Sequence, residues 1–508
     1  MKLLLIVGLS LLTKNVVYGD IGQHVLQDNN MPLTKSVAII GGGASGTSTA
    51  FWLSNVFPSD GKIQVVSTIF EQSDFIGGRS TTVPIKGDDS LGTIELGASI
   101  FVEANKNLMT AAEKFNLELT QLTGVESARP GLGIWDGKEL VFEQTGSYWD
   151  TIKAVWRYGF TPMKFQRKQK EVVEKFLELY DADYGFENIA KIVETLGFNS
   201  LFNQSASDYL KKLGVNERFS NEILQTATRG NYCQDLNTLH GLAVMVSMEA
   251  SHGTWAVKDG NFRIFEEFAI RSKANVLLNT KVISVNNITE FDSFGNDVHK
   301  YAVETEDGII QVFDEVVLAA PLRFSDIVFS FPTQHYKRDY HTVHVTLVSG
   351  HANPNYFGRN DIEKLPIFIV TTGHPLAQNF PDGKAPFETF SVHRILQNGE
   401  TVVKIFSPNR LDEEQLDQLF LNRTWTYYKE WRAFPQLYPV ENMDFPSFIL
   451  KANEQDAFGI VYPGSFESFV STMETQTISG KNAARLLHEK WCSKSTHCKN
   501  FGDGWGDY

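Results

Sequence analysis

The sequence predicts an α/β fold built on a Rossmann-like dinucleotide-binding domain. Three observations carry this prediction. The apolar run Val37 to Ile40 enters the glycine-rich turn Gly41 to Gly46, a helix-like segment follows from Thr47 to Val56, and a second strand-like run ends at Glu71. This strand, helix and strand order is typical of a dinucleotide-binding unit.

Each residue of the turn has a physical purpose in such a unit. Gly41 permits a tight bend, Gly43 lets the backbone approach a pyrophosphate, and Gly46 allows close packing of helix on strand. Ala44 and Ser45 begin the helix, whose free N–H groups attract phosphate charge.

Glu71 ends the second strand 25 residues after Gly46, with Gln72 beside it. A carboxylate at this place accepts the ribose hydroxyls of a dinucleotide and repels a 2′-phosphate. We expect Glu71 and Gln72 to contact the cofactor.

The segment after Glu71 indicates a flavin cofactor. Gly77-Gly78-Arg79 predicts a turn under the phosphates with a fixed cation beside them. The combined pattern resembles the amine-oxidase and glutathione-reductase-like superfamily of FAD enzymes. This resemblance implies that Glu95-Leu96-Gly97-Ala98-Ser99 returns to the flavin, with Gly97, Ala98 and Ser99 as contacts.

The C-terminal region carries an independent match to this superfamily. Val461 to Gly464 is typical of a strand and turn, and Glu467, Thr472 and Met473 precede a helical segment. In the superfamily, such a helix start brings backbone N–H groups to the pyrimidine end of the flavin.

A closer resemblance is to the prenylcysteine oxidase family, also called prenylcysteine lyase. Three stretches carry it: Val37 to Ser99, Trp255 to Asn261, and Phe466 to Leu487. The second matches the family pattern Trp-Ala-Val-x-x-Gly-Asn, and the third contains Glu-x-x-x-Ser-x-Met-Glu. The polar pair Ser67-Thr68 departs from the pattern and leaves the register of the second strand open.

This resemblance implies an FAD-dependent thioether oxidase that acts on farnesylcysteine and geranylgeranylcysteine in the degradation of prenylated proteins. Oxygen and water would be consumed, and cysteine, an isoprenoid aldehyde and hydrogen peroxide would be formed. The scissile carbon can lose hydride because the sulfur lone pair and the alkene both stabilise the developing cation. The site must hold this carbon near the flavin, admit one water, and offer an apolar channel.

One region mixes aromatic residues, thioethers and histidines, and it supplies the candidates for the substrate pocket and the catalytic base. Its members are Tyr232, Leu239, His240, Met245, Met248, His252 and Trp255. His240 and His252 are candidates to accept the proton of the attacking water, because histidine titrates near neutral pH. The alternative for both is a structural role. Tyr232, Met245 and Trp255 are the predicted pocket residues, and Arg229 and Arg263 flank them as candidate partners for a substrate carboxylate.

Two other functions remain open at this point. A secreted flavin amine or amino-acid oxidase would share every flavin motif, with Tyr462 and Phe466 as an incomplete aromatic cage. A non-catalytic flavin- or isoprenoid-binding protein would keep the fold without turnover. Substrate turnover distinguishes all three.

The chain has 508 residues, so more than one domain is expected. We assign residues 33–105, 252–330 and 455–490 to a discontinuous FAD-binding domain, and the resemblance to the FAD enzymes implies that Val282 lies beside the adenine. Residues 106–251, helical in pattern, and 331–454, with strand-like runs between His341 and Phe406, form an α+β substrate-binding domain. Residues 491–508 are a C-terminal tail.

The first 19 residues have the basic, apolar and small-residue pattern of a signal peptide, which indicates the secretory pathway. The resemblance favours the lysosome as the destination, with secretion as the alternative. No later run approaches 18 apolar residues, so no transmembrane segment is expected. Asn203, Asn287 and Asn422 are candidate glycosylation acceptors.

The net charge of −14 argues against nucleic acids and anionic membrane surfaces as partners. Three cysteines are too few for a disulfide scaffold. Cys492 and Cys498 are close enough to bridge, and Cys233 is expected to be a buried free thiol. No metal site is predicted.

Overall fold

The computed structural model of the chain describes residues 32–58, 61–121, 129–331, 338–373, 376–380, 383–451, 459–493, 498 and 500–506. The predicted signal peptide, residues 1–19, lies outside the described residues.

The strands and helices alternate irregularly along the chain. The strands are β1 Leu33–Ile40, β2 Ile63–Phe70, β3 Thr82–Pro84, β4 Thr93–Glu95, β5 Leu119–Gln121, β6 Leu132–Trp135, β7 Leu140–Gln144, β8 Trp255–Val257, β9 Asn275–Leu277, β10 Val282–Phe291, β11 Asp297–Thr305, β12 Ile310–Phe313, β13 Glu315–Leu318, β14 Val328–Phe329, β15 Tyr340–Ala352, β16 Phe368–Thr371, β17 Thr389–Ile395, β18 Thr401–Ser407, β19 Phe420–Pro435, β20 Ile449–Leu450 and β21 Ile460–Val461. The helices are α1 Ala44–Val56, α2 Lys106–Lys114, α3 Tyr148–Tyr158, α4 Thr161–Leu177, α5 Ile189–Thr195, α6 Asn199–Phe202, α7 Ala206–Leu213, α8 Glu217–Phe219, α9 Gln225–Tyr232, α10 Gly241–Ser247, α11 Phe262–Ser272, α12 Glu413–Leu419 and α13 Met473–Cys492.

A six-stranded sheet in the order β20-β21-β13-β1-β2-β9 forms the centre of the dinucleotide-binding unit. β1 runs parallel to β2 and β13. The register of β1 on β2 is continuous from Leu33 opposite Ile63 to Ile40 opposite Phe70, so the Ser67-Thr68 pair introduces no shift. Val37 to Ile40 are buried, as expected for a central parallel strand covered on both faces.

Helix α1 packs against α13 and α11, and these contacts bring the C-terminal motif to the glycine turn. At the crossing of α1 and α13, a Cβ at Gly480 would collide with Ser48 and would lie 2.6 Å from the carbonyl oxygen of Ser45. On the other side of α1, the rings of Phe51 and Phe268 lie 4.9 Å apart. Glycine at 480 therefore permits the close approach of the two helices.

A four-stranded sheet in the order β12-β11-β10-β14 lies in the same part of the chain. Its inner residues, including Val282 and Val303, share an apolar cluster with Ala38 and Phe70 of the parallel sheet. Residues 276–321, predicted to be rich in strands, contain most of β9 and all of β10 to β13.

A seven-stranded sheet in the order β19-β15-β18-β17-β16-β6-β7 is the largest sheet of the described structure. β15, β17, β18 and β19 pair antiparallel, and β16 runs parallel to β6. Helix α9 packs against β16. One face of this sheet meets the two-stranded ribbon β3-β4 of the first unit through a shared apolar cluster.

The segment 106–251 is mostly helical, as predicted, but β5, β6 and β7 interrupt it. The prediction missed the β6-β7 hairpin, whose turn is formed by Asp136 and Gly137. The Asp136 carboxylate accepts hydrogen bonds of 2.8 Å from the N–H groups of Lys138 and Glu139, and Gly137 has φ +102°. This short side-chain-stabilised turn favours a hairpin over a continuing helix. Strand β20 falls within the segment assigned to the substrate domain, yet it pairs with β21 at the edge of the parallel sheet.

The cysteines agree with the sequence analysis. Cys492 and Cys498 form a disulfide, and Cys233 is a buried free thiol. Within the described part of the chain, no helix has the length and apolar character needed to cross a membrane.

Candidate active site

The glycine turn after β1 joins three elements. Gly41 has φ +112°, and its N–H donates to the carbonyl of Phe70. The N–H of Gly42 donates to the Glu71 carboxylate over 2.7 Å, and a Cβ at Gly46 would collide with the carbonyl oxygen of Gly41. The tight bend and the close packing of helix on strand are therefore as predicted.

Gly43 lies beside open space between the two glycine turns, Gly41–Gly43 and Gly77–Gly78, which we call the open cradle. It caps α1 without a side-chain hydrogen bond, and a Cβ added there would meet nothing nearer than the Cα of Gly78, 3.9 Å away. Gly43 and Gly77 form a parallel bridge, so two glycine turns meet at the N-terminus of α1, where Ala44 and Ser45 lie. Open space beside free helix N–H groups fits a pyrophosphate.

Glu71 lies at the carboxyl end of β2, where a dinucleotide ribose is expected. One carboxylate oxygen binds Gly42, and the other accepts hydrogen bonds of 2.8 and 2.7 Å from the N–H and hydroxyl of Ser73. The carbonyl of Glu71 also accepts from Thr280, two residues before the buried Val282. Gln72 is exposed. Glu71 and Val282 are therefore close, as binding of one adenosine requires.

The two predicted flavin segments pack on each other. A Cβ at Gly97 would lie 2.5 Å from the carbonyl oxygen of Arg79, so only glycine fits this contact. The N–H of Ala98 donates to the same carbonyl over 3.5 Å, and the hydroxyl of Ser99 donates to the carbonyl of Gly97. The structure thus brings Gly78, Arg79 and residues 97–99 together.

The Arg79 side chain forms a cluster that the sequence analysis did not foresee. Its guanidinium donates to the Ala433 carbonyl over 2.6 Å and is paired with the buried carboxylate of Glu467. The hydroxyl of Tyr340 donates to the other oxygen of Glu467 over 2.6 Å. Arg79 and Glu467, predicted separately as cofactor contacts, therefore hold each other, and both roles stay predictions.

A cavity of about 690 Å³ opens beside this cluster. Tyr340, Tyr462 and Glu467 line it, together with charged residues such as Arg323 and apolar residues such as Phe445 and Leu450. The lining therefore offers both polar and apolar contacts to a ligand. The apolar channel stays a prediction.

Asn261, the last residue of the motif Trp255 to Asn261, forms hydrogen bonds to residues 95–99, the segment predicted to contact the flavin. Its N–H donates to the Glu95 carboxylate over 2.6 Å, and its amide donates to the Ala98 carbonyl over 2.9 Å. Trp255, the first residue of the motif, exchanges backbone hydrogen bonds of 2.8 and 2.9 Å with Phe101. The predicted pocket residue Trp255 is therefore beside the segment assigned to the flavin.

Lys404 of β18 reaches the same segment from the opposite sheet and was missed by the sequence analysis. It is 4% exposed, and its ammonium donates to the Glu95 carbonyl over 3.0 Å and to the Ser99 hydroxyl. Burial lowers the pKa of Lys404 to about 8, against the opposing effect of Glu95. Burial also raises the pKa of Glu95 to about 7, against the hydrogen bond from Asn261 and the charge of Lys404.

Two buried polar atoms at this place have no hydrogen-bond partner among the described residues. They are the Glu95 Oε2 and the indole Nε1 of Trp431, which lies 3.9 Å from where a Gly97 Cβ would be. A buried donor and a buried acceptor without partners, both next to residues 95–97, indicate that a polar group of a ligand binds near this segment. An isoalloxazine ring presents such a group, so the residues fit a flavin.

The helix start at the other end of the site is as predicted. α13 begins at Met473, and the Thr472 hydroxyl accepts from the N–H of Thr475 in a capping box. Thr472 and Met473 are partly exposed. The second acid of the motif, Glu474, instead faces α2, accepting hydrogen bonds of 2.8 and 3.0 Å from the N–H groups of Asn107 and Leu108.

The two candidate histidines for the catalytic base are not placed in an accessible site by the described structure. His240 is 0% exposed and packs on Phe202 with ring centroids 4.4 Å apart. Burial and the charge of Arg338 lower the pKa of His240 well below its usual range. The side chain of His252 lies outside the described residues. Both remain predictions, and the burial of His240 favours its structural alternative.

The other pocket candidates are mostly core residues. Met245 is fully buried, and Tyr232 is 2% exposed with its ring 5.4 Å from that of Phe434. Arg229 is bound to Asp235 and to the backbone carbonyl of Thr371. Arg263 is half-exposed and lies 3.6 Å from Asp259.

The aromatic cage expected of an amine oxidase is not formed by its two candidates. Phe466 is fully buried and packs on Phe469, with ring centroids 5.2 Å apart. The hydroxyl of Tyr462 accepts from the N–H of Leu322. The predicted glycosylation acceptors Asn203, Asn287 and Asn422 are all exposed, and glycosylation stays a prediction.

Two family models and several known proteins match this chain. The prenylcysteine lyase family model matches residues 141–500, and the NAD(P)-binding Rossmann-like domain model matches residues 39–115. Farnesylcysteine lyase of Arabidopsis thaliana is 30% identical over 486 residues, which cover 92% of this chain and 91% of the relative. Prenylcysteine oxidase 1 of Homo sapiens is 31% identical over 474 residues, which cover 90% and 89%.

Solved structures show the same fold. Cyclohexylamine oxidase from Brevibacterium oxydans has a TM-score of 0.57 at 15% identity, covering 90% of this chain and 99% of its own. A triple mutant of putrescine oxidase has a TM-score of 0.56 at 13% identity, covering 90% and 100%. The predicted Rossmann-like α/β fold class is confirmed. So is the prediction of an FAD-dependent oxidoreductase.

The contacts described above bring together the glycine turn, the central motif and helix α13. One family model, prenylcysteine lyase, spans both the central motif and α13. The chain belongs to the prenylcysteine lyase family.

Proposed function

We propose that this protein oxidises the thioether of farnesylcysteine and geranylgeranylcysteine and releases cysteine, an isoprenoid aldehyde and hydrogen peroxide. One observation supports the proposal most directly. The family motif from Trp255 to Asn261 is bonded to the segment from Glu95 to Phe101, at the place that fits the flavin. Relatives named farnesylcysteine lyase and prenylcysteine oxidase match almost the whole chain.

Bound FAD supplies the two-electron oxidant, which oxygen regenerates with formation of peroxide. Gly43, Gly78 and the N-terminus of α1 would hold its pyrophosphate, Glu71 its ribose, and residues 97–99 with Thr472 and Met473 its ring. After oxidation of the carbon beside sulfur, water adds to that carbon. The resulting hemithioacetal then collapses to the thiol and the aldehyde, so atoms and electrons balance.

The chain must accept a proton from the attacking water. Burial lowers the pKa of Lys404 and raises the pKa of Glu95, so both groups change protonation closer to neutral pH than usual, and the neutral amine or the carboxylate can accept a proton. Their pKa values and their place beside Ser99 make this pair a better acceptor than His240, which has no exposed atom.

The setting proposed for this reaction is the secretory pathway, with the lysosome as the destination. The signal-peptide pattern of residues 1–19 and the exposed glycosylation acceptors support it. Prenylcysteines arise there when prenylated proteins are degraded.

Product analysis tests the reaction. Purified FAD-loaded protein is incubated in air with farnesylcysteine, geranylgeranylcysteine, putrescine or S-propylcysteine, which lacks the alkene. We expect equal amounts of thiol, aldehyde and peroxide from the two prenylcysteines and none from the other compounds. Peroxide from putrescine would instead support an amine oxidase, and no turnover of any compound would support a non-catalytic binding protein.

A further inference from the structure

Helices α3 and α4 present an apolar face without a partner in the described structure. Trp156 is 87% exposed, Phe160 76% and Met163 63%, and Ile152 and Val155 are also exposed. We call these five residues the apolar face. Contiguous exposed apolar side chains of this size mark an interaction surface.

The opposite side of the same helices is already packed. The rings of Tyr158 and Phe165 lie 5.5 and 6.1 Å from that of Phe219. Arg157 is paired with Glu222 over 2.6 Å, and Tyr158 donates to the same carboxylate. These contacts fix α3 and α4 on the protein with the apolar face turned outward.

The charge around the apolar face is opposite to that of the whole chain. Residues 151–170 contain six basic residues and no acidic one, although the net charge of the chain is −14. The basic residues are Lys153, Arg157, Lys164, Arg167, Lys168 and Lys170, of which Arg157, Lys168 and Lys170 are paired with Glu222, Glu171 and Glu174. The local positive excess is therefore carried by Lys153, Lys164 and Arg167, and because screening limits electrostatic interactions to about 10 Å, these three act on an adjacent surface more strongly than remote acidic residues do.

We propose that the apolar face docks on the surface of a lipid bilayer that carries anionic headgroups. Exposed Trp and Phe beside Lys and Arg on an amphipathic helix are typical of interfacial, non-spanning membrane binding. The apolar side chains enter the boundary between headgroups and acyl chains, and the basic side chains meet the headgroups. The net charge of the whole chain argues against anionic membranes as partners. The local positive charge beside the apolar face favours them at this one surface.

The docked helices are in contact with the predicted pocket region. Gln169 of α4 donates to the carbonyl of Met245 in α10 over 3.4 Å, and to Glu249 over 2.7 Å. Met245, Phe165 and Phe101 belong to one continuous apolar core, against which Trp255 packs.

Docking would bring the enzyme to its substrate. A prenyl chain partitions into bilayers because each buried CH₂ contributes about 0.8 kcal/mol. Withdrawal of prenylcysteine from the bilayer is a consequence that rests on the proposed function, whereas the docking itself does not.

Vesicle binding tests the docking. The purified FAD-loaded protein is sedimented with vesicles of phosphatidylcholine, with and without phosphatidylserine. The variant Trp156→Ser, Phe160→Ser, Met163→Ser changes only exposed side chains. The matched control, Phe291→Ser, Phe294→Ser, removes two apolar side chains that are 75% and 81% exposed elsewhere.

We expect binding to vesicles that contain phosphatidylserine, weakened by salt and weakened at least about tenfold in the triple variant, with no change in the control. Equal binding by wild type and triple variant would overturn the proposal. Concentration-dependent dimers in sedimentation velocity that the triple variant abolishes would also overturn it, because the face would then join two chains. Turnover of dissolved farnesylcysteine should be the same in all three proteins, so a failure of docking is distinguishable from a failure of the proposed function.

Discussion

The Glu71 carboxylate accepts a hydrogen bond from the backbone N–H of Gly42 over 2.7 Å. This bond joins the end of β2 to the turn after β1, so the predicted ribose-binding acid is held next to the predicted phosphate-binding turn. Replacement of Glu71 by Ala removes this tie together with the candidate ribose acceptor.

Glu71→Ala should weaken FAD binding about ten- to hundredfold, because a hydrogen bond to a charged group contributes about 1.5–3 kcal/mol. Titration of the apoprotein with FAD, followed by flavin fluorescence, measures this. Glu71→Gln keeps an acceptor for Gly42 and should lose less. Equal FAD affinity in wild type and Glu71→Ala would show that Glu71 does not contact the cofactor.

Gly43→Val tests the open cradle. A Cβ at this position would lie 3.9 Å from the nearest protein atom, so the backbone of the turn has room for a side chain there. The variant should therefore fold normally, yet bind FAD at least about tenfold more weakly because the side chain occupies the pyrophosphate space. The control is Gly131→Val, where the nearest atom is 3.8 Å away at a site remote from the cradle. A fully yellow Gly43→Val protein would show that the phosphates bind elsewhere.

Lys404 should impose a pH dependence on turnover. The pKa of Lys404 is about 8 and that of Glu95 about 7, and both proton-accepting forms, the neutral amine and the carboxylate, increase as pH rises. We expect the steady-state rate of aldehyde formation at saturating farnesylcysteine to rise with pH around pH 7 to 8, because water adds only when the pair can take up its proton.

Lys404→Met should lower that rate about 100-fold and remove the upper part of the rise. Lys404→Arg keeps the positive charge but stays protonated, so it should not restore the rate. Steady-state aldehyde formation across the pH range measures both variants, and rapid-mixing absorbance should show flavin reduction unchanged. A rise in the Lys404→Met profile identical to that of wild type would exclude Lys404 as the acceptor.

Glu474 should contribute to stability rather than to flavin chemistry. It satisfies two N–H groups in the first turn of α2 and binds the hydroxyl of Tyr180, all in the interior. Glu474→Ala leaves these donors without an acceptor and should lower the free energy of unfolding by about 3 kcal/mol. Tyr180→Phe removes only one donor and should cost about 1 kcal/mol. Urea unfolding followed by tryptophan fluorescence compares them, and equal midpoints for wild type and Glu474→Ala would contradict this role.

The parts of the site that sequence could predict are those formed locally. Gly41, Gly46 and Glu71 follow from the backbone demands of one strand, helix and strand unit, and α1 and α13 begin within a few residues of the predicted helix starts. Ser67-Thr68 left the register open because polarity alone does not determine strand pairing. The structure resolves it through eight consecutive partners between β1 and β2.

The parts that sequence could not predict depend on contacts between distant segments. Lys404 lies 309 positions from Glu95, and their meeting is set by the pairing of β18 within a sheet that the sequence did not define. A lone cation inside the apolar run of β18 was the one available signal. The mixture of aromatic residues and thioethers near His240 suggested a pocket. His240 is instead buried because its ring packs on Phe202 beside α10, and residue spacing in the sequence does not reveal such a contact.

Anaerobic titration of the FAD-loaded protein with farnesylcysteine tests whether the bound flavin oxidises a prenylcysteine. We expect the visible flavin absorbance to bleach in proportion to the substrate added and to return when oxygen is admitted. A protein that stays colourless after reconstitution with FAD, or a bound flavin that farnesylcysteine leaves oxidised, would contradict it.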